Sequence, residues 1–330
     1  MSKSIKRIGA FILSVLLLYI GFKYLISKEQ RDLFFAIPLT TLLTSVLICI
    51  PSFILSGIEL RFLYNKVSKI KLTAYDTATL PIVINLWGVL IPFQGSFIYT
   101  TAYIHSKYKK GIGHSAKVYL LSFSISLALA GLIGILYASF SNIAFSIYFI
   151  MLSALLVFNP LGLVVLEQLL SRYKDIKHEW LSKIINKASK LFGTEHIDKK
   201  LLFYLVLLKI CNIATSAIWA YWVTITFRIN LTVIQLLLIL LLTNLTALIQ
   251  ITPGNIGVNQ IASGGLAILV GGTMNDGFFL SAFQFLSNFT IAITLGSLFT
   301  FINMKYFSWQ YFKSLLAKKG KDKNIDLFLT

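Results

Sequence analysis

Long apolar runs alternate with short basic segments along the whole chain, and the runs have the length that crosses a bilayer. A helix needs about 20 apolar residues to span roughly 30 Å of hydrocarbon. Uninterrupted runs of this kind occupy Ile8 to Ile26, Leu33 to Ile58, Val118 to Ala138, Ile143 to Leu166, Leu201 to Phe227, Leu231 to Leu248 and Phe278 to Ile302. Each is predicted to be a membrane helix. Two further runs, Leu80 to Tyr103 and Gly257 to Gly271, are apolar but broken by proline or glycine. The expected fold class is all-α: one polytopic integral membrane helix bundle over residues 1–330.

Basic residues set the expected orientation, because lysine and arginine in short loops mark the cytoplasmic side. They cluster at Lys3 to Arg7, Arg61 to Lys71, Lys107 to Lys117, Arg172 to Lys200 and Lys305 to Lys323. All five clusters share the cytoplasmic face when Leu80 to Tyr103 dips into the membrane and returns while Gly257 to Gly271 crosses. That gives about eight crossings and one re-entrant segment, with both termini inside the cytoplasmic membrane. The segment of about 171–200 has Ile176, Trp180, Leu181, Ile184, Ile185, Ala188, Leu191 and Phe192 at helical spacing. Lysines fill its other face, so it reads as an amphipathic helix on the inner leaflet linking two halves. A basic tail follows at about 304–330, with Tyr306, Phe307, Trp309 and Tyr311 as an aromatic belt.

Composition agrees, with 57% of residues hydrophobic and only 13% charged, against about 25% charged in soluble domains. The net charge of +18 is read as a topogenic signal and an attraction to anionic lipid; nucleic acid binding is not invoked. Cys49 and Cys211 both lie in apolar spans and read as buried structural thiols. The histidines have no zinc-site spacing, and neither a phosphate-binding glycine loop nor a nucleophile elbow is present. No metal and no cofactor is expected. Glu59, Asp76 and Glu167 are the carboxylates near span ends, and they support a second reading, a membrane-embedded transferase acting on lipid-linked sugars.

Polar residues inside the spans carry the functional signal. Lys209 lies within Leu201 to Phe227, and "ITPGNIGVNQ" places Pro253, Gly254, Asn255, Gly257, Asn259 and Gln260 where hydrocarbon is expected. Irregular backbone at membrane depth is tolerated only against protein or a wet cavity. A helix restarting near Gly257 points free N–H groups at the gap, which favours anions. A comparable break holds Pro92, Gln94 and Gly95. Pro92 and Pro253 are 161 positions apart and Gly95 and Gly257 are 162 apart, the spacing of an internal repeat with matching sites in its halves.

The "PGNIGV" of Pro253 to Val258, with "LIPFQG" upstream, resembles the flippase-like transmembrane region of lysylphosphatidylglycerol synthetases and its stand-alone relatives. Asn259 and Gln260 stand where that family typically has arginine and glutamate, and the segment after the first break lacks the family's usual charges. The resemblance implies lipid modification or translocation, without the synthetases' soluble aminoacyl-transferase domain. The leading expectation is a protein that binds and moves, or presents, a lipid with an anionic headgroup: a phospholipid or a polyprenyl-phosphate-linked glycan. Lys209, Asn255, Gly257, Asn259, Gln260, Gln94 and Gly95 are its candidate contacts. A third reading is a non-catalytic partner of a lipid- or polysaccharide-biosynthesis enzyme of the cell envelope.

Overall fold

The computed structural model describes residues 32, 36–91, 95–140, 199–243 and 252–303. The first predicted span, the amphipathic linker and the aromatic belt of the tail lie outside the described residues. The described elements are helices: α1 (Leu39–Ser68), α2 (Ala74–Leu90), α3 (Gly95–Tyr108), α4 (Ile112–Phe140), α5 (Lys199–Phe227), α6 (Val233–Thr243), a 3-10 turn (Pro253–Asn255), α7 (Val258–Leu269) and α8 (Met274–Ile291). A π-helical turn (Ala292–Gly296) then leads into α9 (Ser297–Asn303). The chain forms two compact units. The first comprises Met1–Ile58, Thr73–Thr100 and Ile210–Phe307, and the second Glu59–Leu72, Thr101–Lys209 and Ser308–Thr330.

Four helices, Leu39–Ser68, Ile112–Ile135, Lys200–Phe227 and Met274–Asn303, are long and apolar enough to cross a membrane. Their apolar surface is largely uncovered by protein: the most apolar stretches of α1 and α5 are only 17% and 11% buried. Leu47, Ile218 and Ile225 stand outward. Such surface needs hydrocarbon around it. The chain is therefore a membrane protein. Cys211 belongs to this outward surface and is exposed, whereas Cys49 is buried; the reading of both as buried thiols is corrected for Cys211, since an apolar span exposes whichever face lacks a helix neighbour.

Both interrupted runs fold back as helical hairpins. In α2 and α3 the rings of Trp87 and Tyr99 stack with centroids 5.4 Å apart, and the Ser96 hydroxyl donates to the Ile84 carbonyl at 3.1 Å. In the other hairpin, Gln235 at the start of α6 donates to the Val270 carbonyl just past α7 at 2.6 Å. Thr243 at the end of α6 meets Ser263 of α7 at 2.9 Å. The pairs run antiparallel. With 12 residues, α7 is about 18 Å long, short of the roughly 30 Å hydrocarbon core.

The spacing seen at the two breaks extends through eight helices. Helix α1 ends in a left-handed residue, Lys69 (φ 53°), and α5 in Arg228 (φ 53°), 159 positions later. The same 159 separates two N-terminal caps. At α2, the Thr73 N–H donates to Asp76 at 3.2 Å and the Asp76 N–H to Thr73 at 3.1 Å. At α6, the Thr232 N–H donates to Gln235 at 2.7 Å and the Gln235 N–H returns to Thr232 at 3.4 Å. Past the breaks, Lys109 (φ 57°) and Gly271 (φ 87°) end α3 and α7 at a separation of 162, which is also the separation of the starts of α4 and α8. A left-handed residue closing a helix and a reciprocal cap opening one are local, sequence-encoded signals. These signals recur at the spacing expected of an internal repeat that pairs α1–α4 with α5–α8.

Candidate functional site

The second break is built by backbone geometry and one glutamine. Gly254 (φ 59°), Asn255 (φ 54°) and Gly257 (φ 83°) all adopt left-handed backbone, which glycine accepts freely and asparagine better than most residues. The Asn255 N–H returns to the Thr252 carbonyl at 3.0 Å, and the Thr252 hydroxyl donates to the Ile256 carbonyl at 2.9 Å. Helix α7 restarts at Val258, and the Gly257 N–H donates to the Gln260 side chain at 2.6 Å. Gln260, a candidate lipid contact from sequence, is thus a buried helix cap.

This break packs on the end of α2, the helix leading into the other one. A Cβ added to Gly254 would lie 3.3 Å from the Val89 Cα and Cγ2. One added to Gly95, which starts α3, would collide with the Trp87 carbonyl. The first unit therefore brings together Asn255, Gly257, Asn259, Gln260, Gly254 and, across the hairpin, Gly95. Asn255 is buried at 4% exposure and Asn259 is half-buried. Pro92 and Gln94 lie outside the described residues, and Pro253 opens the 3-10 turn.

A polar cavity of about 50 Å³ lies elsewhere in the first unit, among α1, α5 and α8. Ser52, Thr215, Ser216, Gln284 and Asn288 supply its polar lining, with Cys49 and Trp219 beside them. Two hydrogen-bonded clamps hold its walls. The Trp219 indole donates to Ser45 at 2.8 Å, and Ser45 meets Ser287 at 2.6 Å. Ser52 donates to the Asn212 carboxamide oxygen at 2.8 Å, and the Asn212 amide donates to Ser56 at 3.0 Å. Interhelical hydrogen bonds of this kind contribute about 0.6 kcal/mol each at membrane depth. Sequence reasoning missed Ser52, Thr215 and Ser216. Single hydroxyls in apolar runs are too common to stand out.

The second unit holds the charged element. Lys209 of α5 pairs with Glu59 of α1 at 3.0 Å, with side-chain exposures of 16% and 6%. The Ser122 hydroxyl of α4 donates to the same Glu59 oxygen at 2.6 Å. Lys209 is thus engaged by a carboxylate and stands in a different unit from Asn255 and Gly257. Of the other carboxylates considered from sequence, Asp76 is buried and caps α2, and Glu167 lies outside the described residues. Among the described residues, no group of three or more His, Cys, Asp or Glu side chains can hold a metal ion.

Compared with models of protein families, with functionally curated proteins and with solved structures, the chain matches none.

Proposed function

We propose that this protein binds a lipid with an anionic headgroup and moves or presents it across the membrane, in the manner of the flippase-like family its break motif resembles. The observation that carries this reading is the contact of Gly254 with Val89. It joins the two interrupted hairpins at their breaks, where backbone polar groups lie among apolar helices. Such an arrangement is tolerated at membrane depth when it serves a site.

The topology that fits has six crossings and two re-entrant hairpins. Helices α1, α4, α5 and α8 with α9 cross, as do the sequence-predicted spans Ile8 to Ile26 and Ile143 to Leu166, which lie outside the described residues, while α2–α3 enters from the cytoplasm and α6–α7 from outside. This keeps all five basic clusters inside, as the eight-crossing reading does, and it respects the shortness of α7. It also gives α1 and α5 opposite directions, so that the two copies are inverted, as in transporters that alternate access. In this scheme Lys209 reaches a phosphate only after Glu59 releases it, and the ion pair is a closed gate. Of the carboxylates in the transferase reading, Asp76 is engaged in a cap and Glu59 in an ion pair, and Glu167 lies outside the described residues. Among the described residues, neither Asp76 nor Glu59 is poised as base.

The test is leaflet exchange in proteoliposomes, using fluorescent anionic phospholipid or polyprenyl phosphate and an impermeant quencher. The purified protein is expected to expose inner-leaflet probe of at least one of these lipids at least tenfold faster than protein-free vesicles. Rates equal to those of protein-free vesicles for both lipid classes would overturn the proposal.

A further inference from the structure

We propose that the uncharged cavity of the first unit is a binding station for the hydroxyl-bearing end of a lipid headgroup. This rests on the lipid-handling reading above and names the part of the lipid that one site takes.

The walls are the first support. Helices α1, α5 and α8 each turn polar side chains into the cavity, and the Trp219–Ser45–Ser287 and Ser52–Asn212–Ser56 hydrogen bonds hold those helices around it. In the second unit a polar cluster of α1, α4 and α5 is filled by protein charge, with Glu59 paired to Lys209 and accepting from Ser122. In the first unit the polar cluster is uncharged and space remains.

The chemistry of the lining selects the occupant. Ser216, Gln284 and Asn288 offer a hydroxyl and two carboxamides, which both donate and accept, while Ser52 and Thr215, whose O–H groups go to the Asn212 side chain and the Asn212 carbonyl, offer acceptor lone pairs. Among the described residues, none that lines the cavity is charged. An ammonium or phosphate entering would lose its hydration without a counter-charge to offset the loss, whereas an alcohol finds partners for its O–H and its lone pairs. Size narrows the choice further. About 50 Å³ admits only a few water-sized groups, at about 10–15 Å³ each. A terminal CH₂OH fits and a sugar ring does not, so only the tip of the headgroup enters.

Depth agrees with such a station. Ser52, Ser216 and Gln284 each fall in the middle third of a long helix: Leu39–Ser68, Lys199–Phe227 and the continuous run Met274–Asn303. At about 1.5 Å per residue, all three are about 15–20 Å from the ends proposed to face outward. That is the middle of the bilayer.

Native mass spectrometry of the purified full chain, offered equal amounts of phosphatidylglycerol and phosphatidic acid with identical acyl chains, tests this directly. The two lipids share a phosphate and differ in the hydroxyl-bearing glycerol. Wild type is expected to retain phosphatidylglycerol at least fivefold over phosphatidic acid. Gln284→Leu, which removes a carboxamide from the lining, should bring that ratio near one without lowering phosphatidic acid retention. Ser216→Ala, which removes one hydroxyl and nothing else, should lower the ratio about twofold and serves if Gln284→Leu does not fold. A ratio near one in wild type, or one unchanged in both variants, would mean the cavity holds water only; the lipid-handling reading would survive, because lipid is still retained. Retention of neither lipid would overturn both.

Discussion

Glu59, Ser122 and Lys209 in the second unit, and Gln284 with its hydroxyl neighbours in the first, are two polar clusters among apolar helices with opposite chemistry. Where the station holds charge, the side chains close on one another, at 2.6 Å and 3.0 Å. Where it is neutral, a cavity of about 50 Å³ stays open. The physical reason is the cost of desolvation. An ion deep among apolar helices must be in contact with its partner, because an unpaired charge there is strongly unfavourable. Carboxamides and hydroxyls carry no such demand and can share a void with water. One all-helical chain thus holds one locked and one open polar cluster.

The largest test of this contrast removes one charge. Lys209→Met leaves Glu59 uncompensated and is expected to cost about 3–5 kcal/mol, read as thermal unfolding in detergent. Glu59→Leu with Lys209→Met should recover most of that loss. A neutral single substitution would show that the pair is hydrated and the contrast unfounded.

Gly277 sharpens the comparison at the helix contacts. It packs on α7, and a Cβ there would collide with the Ser263 carbonyl. Its counterpart 162 positions earlier is Ser115, which is buried and accepts the Tyr64 hydroxyl hydrogen bond at 3.1 Å. Gly277→Ser, which makes the copies alike, should destabilise by about 1–3 kcal/mol through overpacking. No change in unfolding temperature would mean that α7 and α8 are not held this closely.

Gln260→Leu removes the cap on α7 and should cost about 1 kcal/mol. Its effect on lipid retention should follow the loss of fold, with no separate loss of affinity, if Gln260 caps the helix and does not touch lipid. The smallest stability effect belongs to Gln284→Leu, below about 1 kcal/mol, since replacing a solvated polar lining by an apolar group of similar size is nearly neutral. A large loss there would make the cavity a structural water site.

Hydropathy made the membrane class and the long helices legible, because hydrocarbon imposes a length and a composition on each span. Both breaks were legible too, since proline and glycine have few other uses at that depth. The fold-back of α6 on α7 was not. The charge pattern is satisfied whether the pair crosses or returns, and the 12-residue length of α7 is what favours return. Sequence named Glu59 and Lys209 singly, but they are 150 positions apart, and nothing local joins them. A carboxylate and an amine, each alone in an apolar run, were the available signal. Gln260 was read as a ligand group because its register as the third residue of α7 becomes apparent only once Gly257 is placed as the cap.

The most direct measurement is labelling of single cysteines in intact cells with a membrane-impermeant thiol reagent, on a background lacking Cys49 and Cys211. Lys69 and Arg228 end corresponding helices and, in an inverted repeat, face opposite sides. The account predicts that Arg228→Cys is labelled in intact cells and Lys69→Cys only after permeabilisation. Labelling of both from the same side would make the copies parallel and contradict the inverted arrangement on which the proposed mechanism depends.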